Sequence, residues 1–311
     1  MKITDILKQN ETDRFSIEIT PPLKTKSIKR IFSTIDRIKD YNPAFVAVTY
    51  HQQDIEKTGN NPHIFQRHAS GVGVAAAIKY HYNLEVLPHF ICGGFDKFET
   101  EDAIFDLWFL GIDNILALRG DPRKSESEFT PKMGGHRYAS QLVEQIVQMG
   151  RNEFKHSLKP KDKIDFCIGV AAYPEVHKEA SSLEMDIKWL KYKIDKGAEY
   201  IITQMFFDFE LYVSWVKSCR KAGITVPIIP GIKPITQKKH LRRLSQNFGV
   251  NIPQEFTDRL NSCKSTQEAY NCGINECVKL SKKLINFGSP LVHYFAMGSG
   301  ADVADVVKQI Y

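Results

Sequence analysis

Residues 15–20 read Phe-Ser-Ile-Glu-Ile-Thr, a short apolar run that contains one carboxylate and ends in a polar residue. Segments with helical spacing of apolar residues separate it from later runs of the same kind. The other runs occupy residues 45–50, 84–92, 115–121, 166–173, 200–207, 227–233 and 291–297. A strand followed by a helix, repeated eight times, predicts an α/β fold of the closed parallel type, the (β/α)8 or TIM barrel.

The length of the chain, 311 residues, fits one such barrel. A (β/α)8 barrel uses roughly 250 residues, so we expect long loops and an extra helical pair near the C-terminus to take up the rest. Amphipathic segments at 183–194 and 211–221 are followed by Gly197 and Gly223, and glycine readily adopts the left-handed backbone that ends a helix. We therefore expect a single domain spanning residues 1–311.

Composition and charge exclude several classes of function. The chain is 42% hydrophobic and 25% charged, as in soluble globular proteins, and no stretch approaches the ~18 apolar residues of a membrane span. The net charge of +6 comes from scattered lysines and arginines without interleaved aromatic residues, which argues against nucleic-acid binding. Six cysteines without a Cys-x-x-Cys pair argue against a metal site. We expect a cytoplasmic protein with reduced thiols, no metal, and no membrane or nucleic-acid partner.

Polar residues occur where the predicted strands end. In a parallel barrel all the carboxyl ends of the strands meet on one face, and the active sites of barrel enzymes lie there. The residues in question are Glu18, Thr49, His89, Arg119, Gly120, Asp121, Tyr173, Gln204 and Lys233. We expect this ring of polar groups to form the functional site.

Glu18 is the most informative member of the ring because it interrupts an otherwise apolar strand. A buried carboxylate is costly unless it is paired or functional. One interpretation is a structural ion pair with a lysine of the barrel. The interpretation that we favour is a general acid whose pKa is raised by burial.

The Arg119 guanidinium offers paired N–H donors for a phosphate or a planar ring. Gly120 lets a ligand approach the backbone closely, and Asp121 adds a negative charge. The alternative is an ion pair between Arg119 and Asp121. The loop at 121–136 is long, polar and rich in turn-forming residues, which favours a binding loop.

Two further motifs suggest other chemistry. Gly71-Val-Gly-Val-Ala-Ala at 71–76 superficially matches a dinucleotide fingerprint, which needs a strand directly before it. We interpret residues 66–70 as helical and polar, and residues 71–76 as a small-residue helix packed on the sheet. Lys233 is either a Schiff-base lysine of a barrel lyase or a lysine at the surface or on a phosphate.

Seven segments, taken together, resemble the methylenetetrahydrofolate reductases, flavoenzymes of one-carbon metabolism built on this barrel. They are residues 15–22, 48–50, 88–90, 117–122, 170–177, 203–208 and 229–234. The resemblance covers essentially the whole chain, and the Ala-Ala-Tyr-Pro-Glu-Val-His run at 171–177 is highly specific in combination with the Arg-Gly-Asp motif. The chain is similar to the short bacterial form, a catalytic barrel without a C-terminal regulatory domain.

The resemblance implies that FAD is reduced by NADH or NADPH and then reduces 5,10-methylenetetrahydrofolate to 5-methyltetrahydrofolate, in a ping-pong reaction that supplies methyl groups for methionine synthesis. It implies that Glu18 is the acid that opens the folate ring to an iminium, and that Asp121 stabilises this cation. Gln204 would bind the pterin and the nicotinamide in turn. We expect folate and pyridine nucleotide as substrates, and a homo-oligomer whose size the sequence does not reveal.

The resemblance also implies a set of residues that bind FAD. They are Thr49, Tyr50, His89, Arg119, Gly120, Asp121, Tyr138, Ala139, Tyr173, His177, Ala180, Asp186 and Lys193. Two positions depart from the family pattern. An arginine that often contacts the folate tail is absent near Ser299, and Leu244 stands where some members stack an aromatic ring on the nicotinamide. We therefore assign neither the tail contacts nor the preference for NADH or NADPH.

The sequence leaves two alternatives to a reductase open. A Schiff-base lyase that uses Lys233 would need no flavin. A binding protein that has kept the fold and lost the chemistry would be expected to lack Glu18 or Gln204, and both are present.

Overall fold

A computed structural model describes residues 1–9, 14–58, 61–123, 126–157, 160–177, 179–296 and 298–311. The first half contains α1 (Ile3–Lys8), β1 (Phe15–Ile19), α2 (Lys29–Asp36), β2 (Pro43–Val48), β3 (Asp54–Thr58), β4 (Asn61–Phe65), α3 (Gly71–Tyr82), β5 (Val86–Ile91), α4 (Lys97–Phe109), β6 (Asn114–Leu118) and α5 (Ala139–Gly150). The second half contains β7 (Cys167–Ala172), α6 (Leu183–Asp195), β8 (Tyr200–Thr203), α7 (Phe209–Lys221), β9 (Ile228–Ile229), β10 (Gly231–Ile232), α8 (Lys238–Phe248), α9 (Gln254–Ser262), α10 (Thr266–Asn286), β11 (Val292–Ala296) and α11 (Ala301–Val307).

The main sheet is a closed parallel barrel. Its strand order is β10-β11-β1-β2-β5-β6-β7-β8-β9. The seventh barrel strand is broken into β9 and β10 at Pro230, which has no N–H to give to a sheet. β9 pairs with β8 and β10 pairs with β11, so this one broken strand closes the ring. The predicted (β/α)8 barrel is confirmed.

The strands are apolar almost throughout because both of their faces are covered. Residues that point outwards, such as Ile17 and Val46, pack against the helices. Their neighbours that point inwards, such as Phe45 and Ile202, fill the barrel. A third cluster, around Phe295, packs beneath α8, α9 and α10. This double coverage is why the sequence shows continuous apolar runs rather than alternation.

The described strands are shorter than the apolar runs suggested. β6 ends at Leu118 and β8 at Thr203, so the polar residues after them lie in loops on the rim of the barrel. Residues 124–125 of the predicted binding loop and Met297 of the last predicted strand lie outside the described residues. The extra helical pair near the C-terminus is present as α9 and α10.

One prediction about the loop after β2 is wrong. Residues 66–70 are not helical, because the backbone of His68 bridges to Leu23 instead. α3 begins only at Gly71, where the hydroxyl of Ser70 caps the helix by accepting a hydrogen bond from the N–H of Gly73 at 3.3 Å. The antiparallel hairpin of β3 and β4, which precedes this segment, is absent from the sequence prediction.

In the described part of the chain, no helix combines the length and the apolar character that crossing a membrane requires.

Two glycine-to-alanine substitutions should have opposite effects on stability. A Cβ at Gly273 in α10 would lie 2.0 Å from the carbonyl oxygen of Ile235, so Gly273→Ala should lower the free energy of unfolding by about 1–3 kcal/mol. A Cβ at Gly73 in α3 would meet nothing closer than Ser70 at 3.7 Å, so Gly73→Ala should raise it by about 0.5 kcal/mol. Urea denaturation followed by circular dichroism measures both. Equal effects of the two substitutions would contradict the close approach of α10 to the loop after β10.

Candidate active site at the carboxyl ends of the strands

The structure places the predicted site residues on one face of the barrel. Glu18 and His89 are on β1 and β5, near the carboxyl ends of these strands, and the rest follow strand ends or begin the next helix, except Lys193, which lies in the last turn of α6. Thr49 and Tyr50 follow β2; Arg119, Gly120 and Asp121 follow β6; Tyr138 and Ala139 begin α5; Tyr173, His177 and Ala180 follow β7; Asp186 and Lys193 are on α6; and Gln204 follows β8.

The Glu18 carboxylate lies between two imidazole rings. Its Oε2 is 3.4 Å from Nε2 of His89 and 3.8 Å from Nε2 of His293, and the Glu18 side chain is only 18% exposed. Both Nε2 atoms are buried and have no hydrogen-bond partner among the described residues. Because the ionic partners of Glu18 among the described residues are histidines, the alternative interpretation of a structural ion pair with a barrel lysine is wrong.

The pKa of Glu18 shifts in the direction opposite to our prediction. Burial raises the pKa of Glu18, but contact with His293 and the charges of the neighbouring histidines lower it more, so that the net pKa lies below the ordinary value. Burial in turn lowers the pKa of His89. These contacts therefore favour the ionised form of the Glu18 carboxylate.

His293 was missed by the sequence analysis. Its Nδ1 is 2.7 Å from the hydroxyl oxygen of Ser16, and both side chains are fully buried. β11 pairs with β1 so that Ser16 is opposite His293 and Glu18 is opposite Phe295. Pairing of the first and last strands in a closed barrel was the signal that would have found this residue.

A second pair of histidines connects two loops of this face. The rings of His51 and His68 stack at a centroid distance of 3.9 Å. Nδ1 of His68 donates to the carbonyl oxygen of Pro21 at 2.7 Å, and Nε2 of His51 is 3.2 Å from Oγ1 of Thr49. Burial, followed by the charge of His68, lowers the pKa of His51 to about 4. The stack therefore joins the loops after β1 and β2, and its His51 ring is uncharged at neutral pH.

The Arg119–Gly120 turn is held by its neighbours. Gly120 has φ +87°, and a Cβ there would lie 3.2 Å from Ile91, so both backbone and space favour glycine. The Arg119 guanidinium binds Glu179 through two hydrogen bonds of 2.5 and 2.8 Å and lies 5.4 Å from the ring centroid of Phe129. The alternative of an Arg119–Asp121 ion pair is therefore wrong, and Glu179, the actual partner, was not predicted.

Between β7 and α6 the structure gathers a second polar group. The rings of Tyr173 and His177 are 4.5 Å apart, edge to face. The Asp186 carboxylate accepts a hydrogen bond from the N–H of His177 at 3.0 Å. Lys193 donates to the carbonyl oxygen of Ala171 at 2.6 Å, and burial lowers its pKa to about 8. These contacts bring four of the predicted cofactor positions together.

Gln204 and Asp121 differ in how firmly they are held. The side-chain oxygen of Gln204 accepts a hydrogen bond from the N–H of Met205 at 2.8 Å, which leaves its amide N–H groups for a ligand. Asp121 is exposed, and its charge acts on Arg119 and Tyr173 rather than on Glu18. Tyr138 is likewise exposed at the start of α5.

A barrel that collects a buried carboxylate, imidazoles, an amide and cations at the carboxyl ends of its strands is of the class that binds and converts small molecules on this face. The chain belongs to the methylenetetrahydrofolate reductase family, whose sequence model matches residues 2–311. This confirms the resemblance seen in the sequence.

Relatives of two lengths are similar to this chain. Methylenetetrahydrofolate reductase 2 of Saccharomyces cerevisiae is 33% identical over 93% of this chain and 46% of its own length. The 5,10-methylenetetrahydrofolate reductase of Escherichia coli is 33% identical over 91% of this chain and 85% of its own. The chain thus spans about half the length of the fungal, nematode and plant relatives that it matches.

A solved structure shares the fold. It is a Clostridium thermocellum protein that binds two copies of 5-methyl-5,6,7,8-tetrahydrofolic acid, with a TM-score of 0.57 and 16% sequence identity. The match covers 99% of each chain.

The lowered pKa of His51 predicts a loss of stability in mild acid. The unfolded chain binds a proton on this histidine near pH 6.5, whereas the folded protein does so only near pH 4. The contribution of His51 is therefore complete above pH 6.5 and is lost as the pH falls towards 4. His51→Asn should reduce the change in unfolding free energy between pH 6.5 and pH 4. In the wild-type protein, an NMR titration of the His51 ring should give a midpoint near 4. A midpoint near 6.5 would contradict the burial of the stack.

Proposed function

We propose that the protein reduces 5,10-methylenetetrahydrofolate to 5-methyltetrahydrofolate with NADH or NADPH, through bound FAD. The observation that carries this proposal is the Glu18 carboxylate, buried between His89 and His293 on the strand-end face of a chain of this family. We further propose that residues 1–311 form one catalytic unit, that it works as a homo-oligomer in the cytoplasm, and that its product supplies methionine synthesis.

The residues present fit a flavin dinucleotide. Gly120 offers a left-handed backbone with no side chain at the rim, and His89 keeps a buried Nε2 without a hydrogen-bond partner among the described residues. Arg119 and Lys193 provide cations for phosphates, and Tyr173 provides an aromatic ring. When bound, FAD supplies the hydride transfer that no side chain of a protein performs.

Glu18 would protonate the folate nitrogen whose bond to the methylene carbon breaks. Because the neighbouring histidines lower the pKa of Glu18, its proton has to arrive with or after the substrate. A bound pterin displaces water from the carboxylate, and this strengthens the desolvation that raises the pKa of Glu18. The Nε2 atoms of His89 and His293 lie 3.4 and 3.8 Å from Oε2 of Glu18 and border the carboxylate that has to take up this proton.

Asp121 and Gln204 would act on the ring that Glu18 opens. The exposed carboxylate of Asp121 would favour the cation that develops when the ring opens. The amide N–H groups of Gln204 would donate to acceptor atoms of the pterin and, in the other half-reaction, to the nicotinamide. Asp121 and Gln204 follow β6 and β8, on the opposite side of the barrel from β1.

The decisive experiment uses the purified protein under anaerobic conditions. It should be yellow, NADH or NADPH should bleach the flavin spectrum, and 5,10-methylenetetrahydrofolate should restore it. A colourless protein that forms a borohydride-trapped adduct at Lys233 would instead support the Schiff-base lyase. A protein that binds folate but shows no flavin reduction would support a binding function.

Glu18→Gln should separate the two half-reactions. Flavin binding and reduction by nucleotide should persist, because no proton from Glu18 is needed there. Reoxidation by 5,10-methylenetetrahydrofolate should slow by about 10²–10⁴-fold, the usual contribution of a general acid. Stopped-flow absorbance of the flavin measures both rates. An equal fall in the reduction by nucleotide would show that Glu18 is not the folate acid.

Gln204→Glu should weaken the binding of both substrates, because it replaces an amide donor with a charged acceptor of the same size. The cost should be about 1–3 kcal/mol for each substrate if the two share one pocket. Initial-rate kinetics of the wild-type protein should give parallel double-reciprocal lines. Each substrate, when in excess, should inhibit competitively with respect to the other. Intersecting lines would mean that both substrates bind together, and the shared role of Gln204 would be lost.

A further inference from the structure

The Arg119 guanidinium is held by its end. Its Nη1 and Nη2 each donate a hydrogen bond to the Glu179 carboxylate, at 2.5 and 2.8 Å, and the ring centroid of Phe129 lies 5.4 Å from the guanidinium carbon. Only 25% of the Arg119 side chain is exposed. A guanidinium that is bound at its end by a carboxylate and lies against an aromatic ring has little freedom to turn. Its orientation is therefore set by two loops, the one after β6 and the one after β7.

The side of the same guanidinium carries a second pair of parallel N–H groups, from Nε and Nη2. Nε of Arg119 is 3.4 Å from the carbonyl oxygen of Gly120, which is long for a hydrogen bond. Gly120 has φ +87° and no side chain, so a ligand can approach the backbone closely at this point of the rim. The side of the guanidinium therefore borders the part of the rim that fits a flavin dinucleotide, and it keeps donors for a further anion.

Glu179 belongs to a turn that its own hydrogen bonds fix in place. The N–H of Glu179 donates to Nδ1 of His177 at 3.2 Å, and the N–H of Ala180 donates to the carbonyl oxygen of His177 at 2.8 Å. The N–H of His177 in turn donates to the Asp186 carboxylate on α6 at 3.0 Å. A carboxylate on a turn that is held in this way is placed to fix its partner rather than to swing away from it when an anion binds.

We propose that Glu179 is a positioning residue for the flavin, an inference that rests on the proposed function. Glu179 holds the end of the Arg119 guanidinium, so that Nε and Nη2 on its side receive one phosphate of FAD next to Gly120. Paired N–H donors recognise carboxylates and phosphates with the same geometry, and one guanidinium can therefore bind both anions on adjacent edges. Glu179 acts through Arg119 in this arrangement and needs no contact of its own with the phosphate.

The test compares FAD with riboflavin, which carries no phosphate. Glu179→Asp keeps the charge but shortens the side chain, so the carboxylate should no longer reach both terminal nitrogens of Arg119. The Kd of FAD should rise about 10-fold, as for the loss of a hydrogen bond between charged groups, and the Kd of riboflavin should not change. Calorimetric titration of the full-length protein, freed of flavin, measures both. The matched control, Glu184→Asp, makes the same change at an exposed residue of α6 and should alter neither Kd.

A double-mutant cycle with Arg119→Lys separates positioning from a purely structural role. Lysine keeps the charge but has no planar fork to orient, so in this background Glu179→Asp should change the Kd of FAD by less than about twofold. Additive losses, or an equal loss for riboflavin, would overturn the proposal. Tighter binding of FAD by Glu179→Asp would also overturn it, because the carboxylate and the phosphate would then compete for Arg119. Failure of the wild-type protein to bind FAD would instead overturn the proposed function itself.

Discussion

Pairing of the first and last barrel strands is the interaction on which the site depends. β11 supplies His293 to β1 across 277 residues of chain, and the hydrogen bond between this ring and the Ser16 hydroxyl lies at the bottom of the site. The broken seventh strand completes the ring by pairing with β8 through β9 and with β11 through β10. Without closure, Glu18 would have only one neighbouring strand and no second imidazole beside it.

The choice of histidine as the partner of a buried carboxylate has a physical consequence. An arginine or lysine beside Glu18 would fix it as an anion, because these groups keep their charge across the physiological range. An imidazole carries no such fixed charge, and burial lowers the pKa of His89. Under the function proposed above, Glu18, whose pKa these rings lower, has to regain a proton when the substrate displaces water from it.

The barrel was predictable from sequence because its evidence is periodic and repeated. Each apolar run independently indicates a strand, and the barrel geometry then assigns every strand end to one face. Partners of individual side chains were not predictable in the same way. Burial of Glu18 was visible in its strand, but its histidines come from β5 and β11, and the direction of its pKa depends on them. Glu179 likewise reaches Arg119 from 60 residues away.

Two local structures were missed for a different reason. Residues 66–70 carry no strong signal of their own, and a backbone bridge from His68 to Leu23 decides their conformation. The break of the seventh strand at Pro230 was present in the sequence, but only the pairing of β9 and β10 with different neighbours shows what the proline achieves. In both places a tertiary contact overrides the local pattern.

The late position of β11 also governs the order in which the molecule can be assembled during synthesis. Until residues 292–296 have left the ribosome, β1 has an unpaired edge and the seventh strand has only one neighbour. An open parallel sheet of this kind exposes backbone donors and acceptors that invite pairing with other chains. The nascent barrel therefore has no complete ligand site to stabilise it until β11 has been synthesised.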